Sequence, residues 1–181
     1  MNLIRKLQSV LDPIDKQYHS KDNLRLAAVL IPIFLEEEKV LFTKRTEFVK
    51  HHQGQISFPG GRFEKDDKDL LNTALRETVE EVGIKSSSIE VIGKLEPTDT
   101  LSHHYVHPFV GIISDDVSIK INTAEVAEHF FVPLAKLLET STLKHGIFAG
   151  ETRIYYEVEN YKIWGITAGI LTDLLSRIKS S

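Results

Sequence analysis

Residues 25–35, RLAAVLIPIFL, form a nearly continuous apolar run rich in β-branched side chains. Such a run reads as a buried strand. The acidic Glu36-Glu37-Glu38 then makes a turn into a second strand, Lys39–Arg45 (KVLFTKR), and the two are expected to pair as a hairpin. A polar, glycine-containing stretch, 51–57, leads into Phe58-Pro59-Gly60-Gly61, a strong turn signal. Asp66 or Asp67 can cap a helix over 69–82, with Gly83 supplying the left-handed residue after its last turn. Strands are expected at 89–95 and 106–113. The segment 124–131 runs into Val132-Pro133-Leu134, which starts a helix through Leu138. A further hairpin, 153–158 with 161–164, precedes a closing helix over 168–178. Strands and helices intermix, which predicts an α/β protein whose mixed central sheet is covered by helices on its faces.

The chain of 181 residues suits one domain, 1–181, able to bury a genuine core. A net charge of −4 gives no bulk electrostatic footprint for nucleic acid or an anionic membrane. The absence of cysteine excludes a disulfide framework, a thiolate nucleophile and any Cys-based zinc site, and it suits a reducing, cytoplasmic setting. At the N-terminus charged residues interrupt the apolar ones, which predicts an amphipathic helix within residues 1–20 and not a signal peptide. Leu3, Ile4, Leu7, Val10 and Leu11 would face the domain. No apolar run reaches the ~18 residues of a membrane span.

The helix over 69–82 carries an apparent defect. Glu77, Glu80 and Glu81 share an arc of about 100° on a helical wheel. Like charges at i,i+3 and i,i+4 repel by roughly 0.2–0.5 kcal/mol per pair, and the last turn of a helix disfavours anions. Leu71, Leu75, Thr78, Val79 and Val82 fall on the opposite side, so one face is expected to pack on the sheet while the glutamates look outward. A bound divalent cation would reverse the sign of each repulsive contribution. With a carbonyl released by the Gly60-Gly61 turn, these carboxylates make the all-oxygen donor set that Mg²⁺ or Mn²⁺ prefers. Arg76 could orient one carboxylate through a bidentate pair. An acidic face engaged only in surface salt bridges is the structural alternative.

The run Arg76-Glu77-Thr78-Val79-Glu80-Glu81-Val82-Gly83-Ile84 resembles the second half of the Nudix box. Gly61 followed by five residues and Asp67 resembles the first half, with Asp in place of Glu and eight residues, not seven, before Arg76. Thr78 replaces an aliphatic residue. Upstream, Leu41-Phe42-Thr43-Lys44-Arg45-Thr46 and Gly54-Gln55-Ile56-Ser57-Phe58-Pro59-Gly60-Gly61 resemble the signature before the box in coenzyme A diphosphatases. Glu96-Pro97-Thr98-Asp99 and Trp164-Gly165-Ile166-Thr167-Ala168-Gly169 are similar to that group as well. The resemblance spans residues 25–178 and implies a Nudix α/β/α sandwich. It further implies hydrolysis of the diphosphate of coenzyme A, or its thioesters, to 4′-phosphopantetheine and adenosine 3′,5′-bisphosphate with Mg²⁺ or Mn²⁺.

By that resemblance, Glu80 and Glu81 correspond to primary metal ligands, Glu77 to a ligand or water-orienting group, and Arg76 to part of the catalytic set. Gly61 would offer its carbonyl, and Glu125 a further acid. Asp67 stands out of step with the box. Arg45, Gly54, Gln55, Ser57 and His52 are the candidate substrate contacts. Lys44, Lys50 and Arg62 are further cations near enough in sequence to meet a 3′-phosphate, and His51 is a second loop histidine. Trp164 would either stack on adenine or pack the last helix. His103, His104 and His107 lack the spacing of a zinc site. The expected partner is a small nucleotide, not nucleic acid or membrane, and a homodimer is compatible with the sequence. Rival functions are a Nudix activity on ADP-ribose, NADH or a nucleoside triphosphate, and a nucleotide-sensing module without catalysis.

Overall fold

The computed structural model describes residues 3–14, 21, 23–47, 53–148 and 150–181. In chain order the elements are α1 (Leu3–Val10), β1 (Arg25–Phe34), β2 (Lys39–Arg45), β3 (Ile56–Ser57), β4 (Gly60–Arg62), α2 (Leu70–Val82), β5 (Ile89–Lys94), β6 (Thr98–Asp99), β7 (His104–Ile113), β8 (Val126–Pro133), α3 (Leu134–Leu138), β9 (Leu143–Phe148), β10 (Glu151–Val158), β11 (Tyr161–Ile163) and α4 (Gly165–Lys179). The apolar run forms β1, and its two-residue period sends side chains into the cores on both faces of the sheet. Ala27, Ile31 and Ile33 join the larger core with α4, while Ala28 and Leu30 meet Leu70 and Ala74 of α2. Each fully buried aliphatic side chain contributes about 1.5–3 kcal/mol relative to exposure. This explains why an apolar run without alternation can be a strand: both faces of β1 are covered.

The sheet is mixed, as expected. β1 pairs in parallel with β7 over ten residues and antiparallel with β2 and β4. The path runs β3-β2-β1-β7-β5, with β8 paired to β2 and β6 to β7. Helix α2 covers one face. On the other, α4 lays Ala168, Leu171, Leu174, Leu175 and Ile178 into the larger core, together with Tyr156, Val158 and Ile163 of the small sheet β11-β10-β9. The result is an α/β sandwich. The N-terminal helix is amphipathic as read, with Leu7 fully buried. Arg177 of α4 secures the chain after it, reaching Asp12 at 3.6 Å and donating from Nη1 to the Val10 carbonyl at 3.1 Å. No helix among the described residues is long and apolar enough to cross a membrane.

Three expectations change. The β1–β2 hairpin is real but brief, with register pairs only at Ile33↔Val40 and Phe34↔Lys39. Beyond these β2 runs beside β8 and β3. Residues 126–133 form strand β8, and the short helix starts only at Leu134; β9 is an additional strand. The Gly60-Gly61 pair is not a turn but the body of β4, with Ala28↔Gly61 and Val29↔Gly60 in register.

This strand can lie so close because its first two residues, Gly60 and Gly61, lack side chains. A Cβ on Gly60 would lie 2.4 Å from the Ala28 carbonyl oxygen and 2.6 Å from Val29 Cα, both backbone atoms of a central strand. Neither can yield without disturbing β1. Gly60→Ala is therefore expected to destabilise the fold by about 1–3 kcal/mol or more, as overpacking does. Urea denaturation checks this, and an unchanged midpoint would contradict the close approach of β4 to β1.

Candidate active site

The site is built around α2. Asp69 caps the helix, its Oδ1 accepting from Asn72 N at 2.8 Å, so neither Asp66 nor Asp67 fills that role. At the other end Gly83 adopts φ 71° and donates its N–H to the Val79 carbonyl at 3.0 Å, as the sequence leads one to expect. The packed face is rotated from the expected one. Leu70, Thr73, Ala74, Thr78, Glu81 and Val82 are buried, whereas Val79 is 41% exposed. The glutamates therefore do not all look outward: Glu81 is 2% exposed, Glu77 half-buried and Glu80 exposed. The physical reason is β4. A Cβ on Gly61 would meet the Glu77 carboxylate at 2.2 Å, so bare glycine backbone leaves the space that carboxylates fill.

Asp67 and Arg76 hold the outer part of this cluster. Arg76 donates from Nε to Asp67 Oδ1 at 2.8 Å and from Nη2 to Asp67 Oδ2 at 3.0 Å. The same Oδ2 accepts from Thr73 Oγ1 at 2.8 Å and from Glu64 N at 2.9 Å. These donors, Arg76 first, lower the Asp67 carboxyl to about 2. From its anchored position Arg76 extends Nη1 to Glu77 Oε1 at 2.9 Å and Glu80 Oε2 at 3.1 Å, while Nη2 also meets the Arg62 carbonyl at 3.1 Å. Asp67 thus serves as a strut for the arginine. A strut needs only reach, which makes its irregular spacing harmless.

The inner part of the cluster is Glu81. Its Oε1 accepts from Arg45 Nη1 at 3.3 Å, and its Oε2 is buried with no hydrogen-bond partner among the described residues. Burial is the main force raising the Glu81 carboxyl to about 8, opposed by Arg45 and reinforced by Glu77 and Glu125. Glu77 is raised as well, by burial above all, against the pull of Arg76. Glu125, 44 residues beyond Glu81 in sequence, thus joins the field of both carboxylates. It sits at the mouth of β8, where its carbonyl accepts from Thr46 N at 2.9 Å and its Oε1 from Asn122 Nδ2 at 3.4 Å.

Most of the substrate candidates gather at the same end of the sheet. β3 runs beside β2, Arg45 N donates to the Gln55 carbonyl at 3.0 Å, and Ser57 Oγ lies 3.2 Å from Thr43 Oγ1. Gly54 takes φ 64° in the loop leading to β3. His51, His52 and Lys50 lie outside the described residues. Lys44 is spent elsewhere, on Glu128 at 3.1 Å, and Trp164 stacks on Phe148 with ring centroids 5.2 Å apart. The sequence gives no sign of the Arg45–Glu81 pair, because 36 residues separate partners that meet only when β2 and α2 pack.

The donor set suits a hard divalent ion: several carboxylates, one of them buried with an unpartnered oxygen, and a strand carbonyl at Gly61 with a second lone pair. Among the described residues no three His, Asp or Glu side chains already converge as a finished ligand group. Guanidiniums stand among them instead, Arg76 bridging Glu77 and Glu80 and Arg45 holding Glu81. The histidines at 103, 104 and 107 form no such group either.

Comparison with known proteins agrees with this architecture. The family model for the NUDIX domain matches residues 24–150. Proteins named Uncharacterized Nudix hydrolase NudL, from Yersinia pestis (strain Pestoides F) and Yersinia pseudotuberculosis serotype O:1b, are each 40% identical over 167 residues, covering 89% of this chain and 83% of the relative. Among solved structures, a MutT protein from Methanosarcina mazei Go1 superposes with TM-score 0.57 at 19% identity, covering 89% of this chain and 97% of the other. A MutT/nudix family protein from Enterococcus faecalis gives TM-score 0.56 at 13% identity, over 92% and 66%. With the matched domain, the similar relatives and the carboxylate-bearing helix against a glycine strand, the chain belongs to the Nudix hydrolase family.

Proposed function

We propose that this Nudix hydrolase cleaves the diphosphate of coenzyme A, or of its thioesters, to adenosine 3′,5′-bisphosphate and 4′-phosphopantetheine, using Mg²⁺ or Mn²⁺. The observation that carries this reading is the Arg45–Glu81 contact of 3.3 Å. It brings Arg45, from the run 41–46 that resembles the coenzyme A diphosphatase signature, directly against a carboxylate of the box.

In this mechanism Glu77, Glu80 and Glu81, with the Gly61 carbonyl, would hold the divalent ion, and Glu125, beside β8, would add negative charge. A bound divalent ion supplies Lewis-acid charge for the phosphate oxygens and lowers the pKa of water. Arg76, braced by Asp67, keeps Glu77 and Glu80 in place. Arg45, Gln55 and Ser57 line the approach for the diphosphate, and Gly54 lets the backbone come close there. Water adds to one phosphorus, the bridging P–O bond breaks, and the other phosphate leaves. Catalysis of this kind rests on positioning and charge.

Product identification tests the substrate. Incubation with coenzyme A and Mn²⁺ is expected to release 3′,5′-ADP and 4′-phosphopantetheine, faster than ADP-ribose, NADH or 8-oxo-dGTP is turned over. Preferential cleavage of one of those would overturn the coenzyme A reading while leaving the hydrolase intact.

Glu81→Gln tests the site. Turnover is expected to fall by roughly 10²–10⁴-fold at saturating Mg²⁺, the range for a positioned catalytic group. Stability should move the other way. The folded-state carboxyl near 8 stands above its ordinary 4.5, so the native protein binds the proton more tightly than the unfolded chain. Ionising Glu81 then erodes metal-free stability as pH rises from about 4.5 to about 8. Melting curves in EDTA should show no gain for Glu81→Gln at pH 4 and a growing gain up to pH 8. Full turnover together with a pH-independent stability difference would sink the assignment.

A further inference from the structure

The two arginines at the carboxylate cluster are held in very different ways. Arg76 uses all three guanidinium nitrogens, on Asp67, Glu77, Glu80 and the Arg62 carbonyl, so it is locked in place. Arg45 makes one side-chain hydrogen bond among the described residues, from Nη1 to Glu81 at 3.3 Å, longer than the ~2.7–2.9 Å usual for charge-assisted bonds. Its Nε is buried and finds no hydrogen-bond partner among the described residues, nor does Glu81 Oε2. A buried Nε on Arg45 and a buried Oε2 on Glu81 thus stand unpartnered beside the one bond that joins the two side chains. Arg45 also follows a register shift between Lys44 and Arg45 in the β2–β8 pairing, a local irregularity of the kind that re-aims a side chain. Lys44, its neighbour, pairs with Glu128 instead.

We propose that Arg45 is a displaceable internal counter-ion, which pairs with Glu81 in its ionised form until a divalent ion binds and is released by that ion to face the substrate diphosphate. The proposal rests on the metal reading of Glu81 given above and deepens it. A buried, ionised carboxylate left with no cation is costly. A guanidinium gripping both oxygens of Glu81 would satisfy that charge but would leave no oxygen of it for a metal. Loose attachment through one nitrogen meets both needs. The ion and the guanidinium then bind the same carboxylate in mutual exclusion, so each weakens the other by the same factor. The charge freed is the one a diphosphate requires, so occupancy of the metal site and readiness for substrate become linked.

Manganese binding, followed by the paramagnetic resonance of free Mn²⁺, tests this without reference to turnover. Arg45→Gln is expected to bind Mn²⁺ on the order of ten-fold more tightly than the wild type, and to melt at lower temperature in EDTA. Arg45→Lys, which keeps a cation but not the fork, should fall between them. Equal or weaker binding by Arg45→Gln overturns the proposal. Glu81→Gln separates the two ideas: if it leaves Mn²⁺ affinity unchanged, the metal reading itself fails. If it abolishes binding while Arg45→Gln gains nothing, only the counter-ion role falls. Should Arg45→Gln not fold, the ¹⁵N resonance of Arg45 Nε–H in the wild type, assigned from its absence in Arg45→Lys, gives an independent answer. It should shift and exchange faster with water at saturating Mg²⁺, and an unmoved signal overturns the proposal.

Discussion

The close approach of α2 to a strand of bare backbone underlies the architecture of the site. β4 lies against β1 with no side chain at Gly60 or Gly61, and the helix then settles with the Glu77 carboxylate within 2.2 Å of where a Gly61 Cβ would be. Had those positions carried side chains, apolar packing between helix and strand would have excluded carboxylates from the interface. Because they do not, Glu81 is drawn to 2% exposure and Glu77 to partial burial. The raised carboxyl groups and the unpartnered oxygen all descend from that contact.

A cluster assembled in this way conflicts with local stability. Carboxylates three and four residues apart repel, and burial removes the water that would screen them. The fold manages the conflict at two levels. Asp67, itself outside the cluster, grips Arg76 with both oxygens, and Arg76 in turn spans Glu77 and Glu80. Arg45 arrives separately from β2 and meets Glu81 with one nitrogen. The first arrangement is rigid and the second is loose, a difference that matters for any site that must exchange a fixed protein cation for a soluble one. Local conflict of this type is where a sequence departs from consistency for the sake of function.

Much of the fold is legible in the sequence because its signals are local. The run 25–35 gives β1, Gly83 gives the end of α2, and the alternation of charge with apolar residues gives α1. The departures have non-local causes. Gly60-Gly61 carries every mark of a turn, yet β1 supplies a pairing partner that no neighbouring residue reveals. Segment 126–133 becomes a strand because β2 lies alongside, and β9 (LKHGIF) hides its strand character behind Lys144, His145 and Gly146. Asp69 outcompetes Asp66 and Asp67 as the helix cap because Asp67 is engaged with Arg76, Thr73 and Glu64.

The sequence by itself determined the chemical inventory: three glutamates on one helical arc, an arginine beside them, a glycine pair before them and the segment 41–61 upstream. Helical periodicity and short-range spacing are properties of the chain alone, so these could be read without coordinates. Only the tertiary structure decided which glutamate is buried, which arginine meets it, and that Glu125 shares its field. Burial and charge pairing depend on which surfaces pack together. Here the rotation of α2 was set by the absence of side chains on β4, and a helical wheel drawn without its neighbour places the packed face elsewhere.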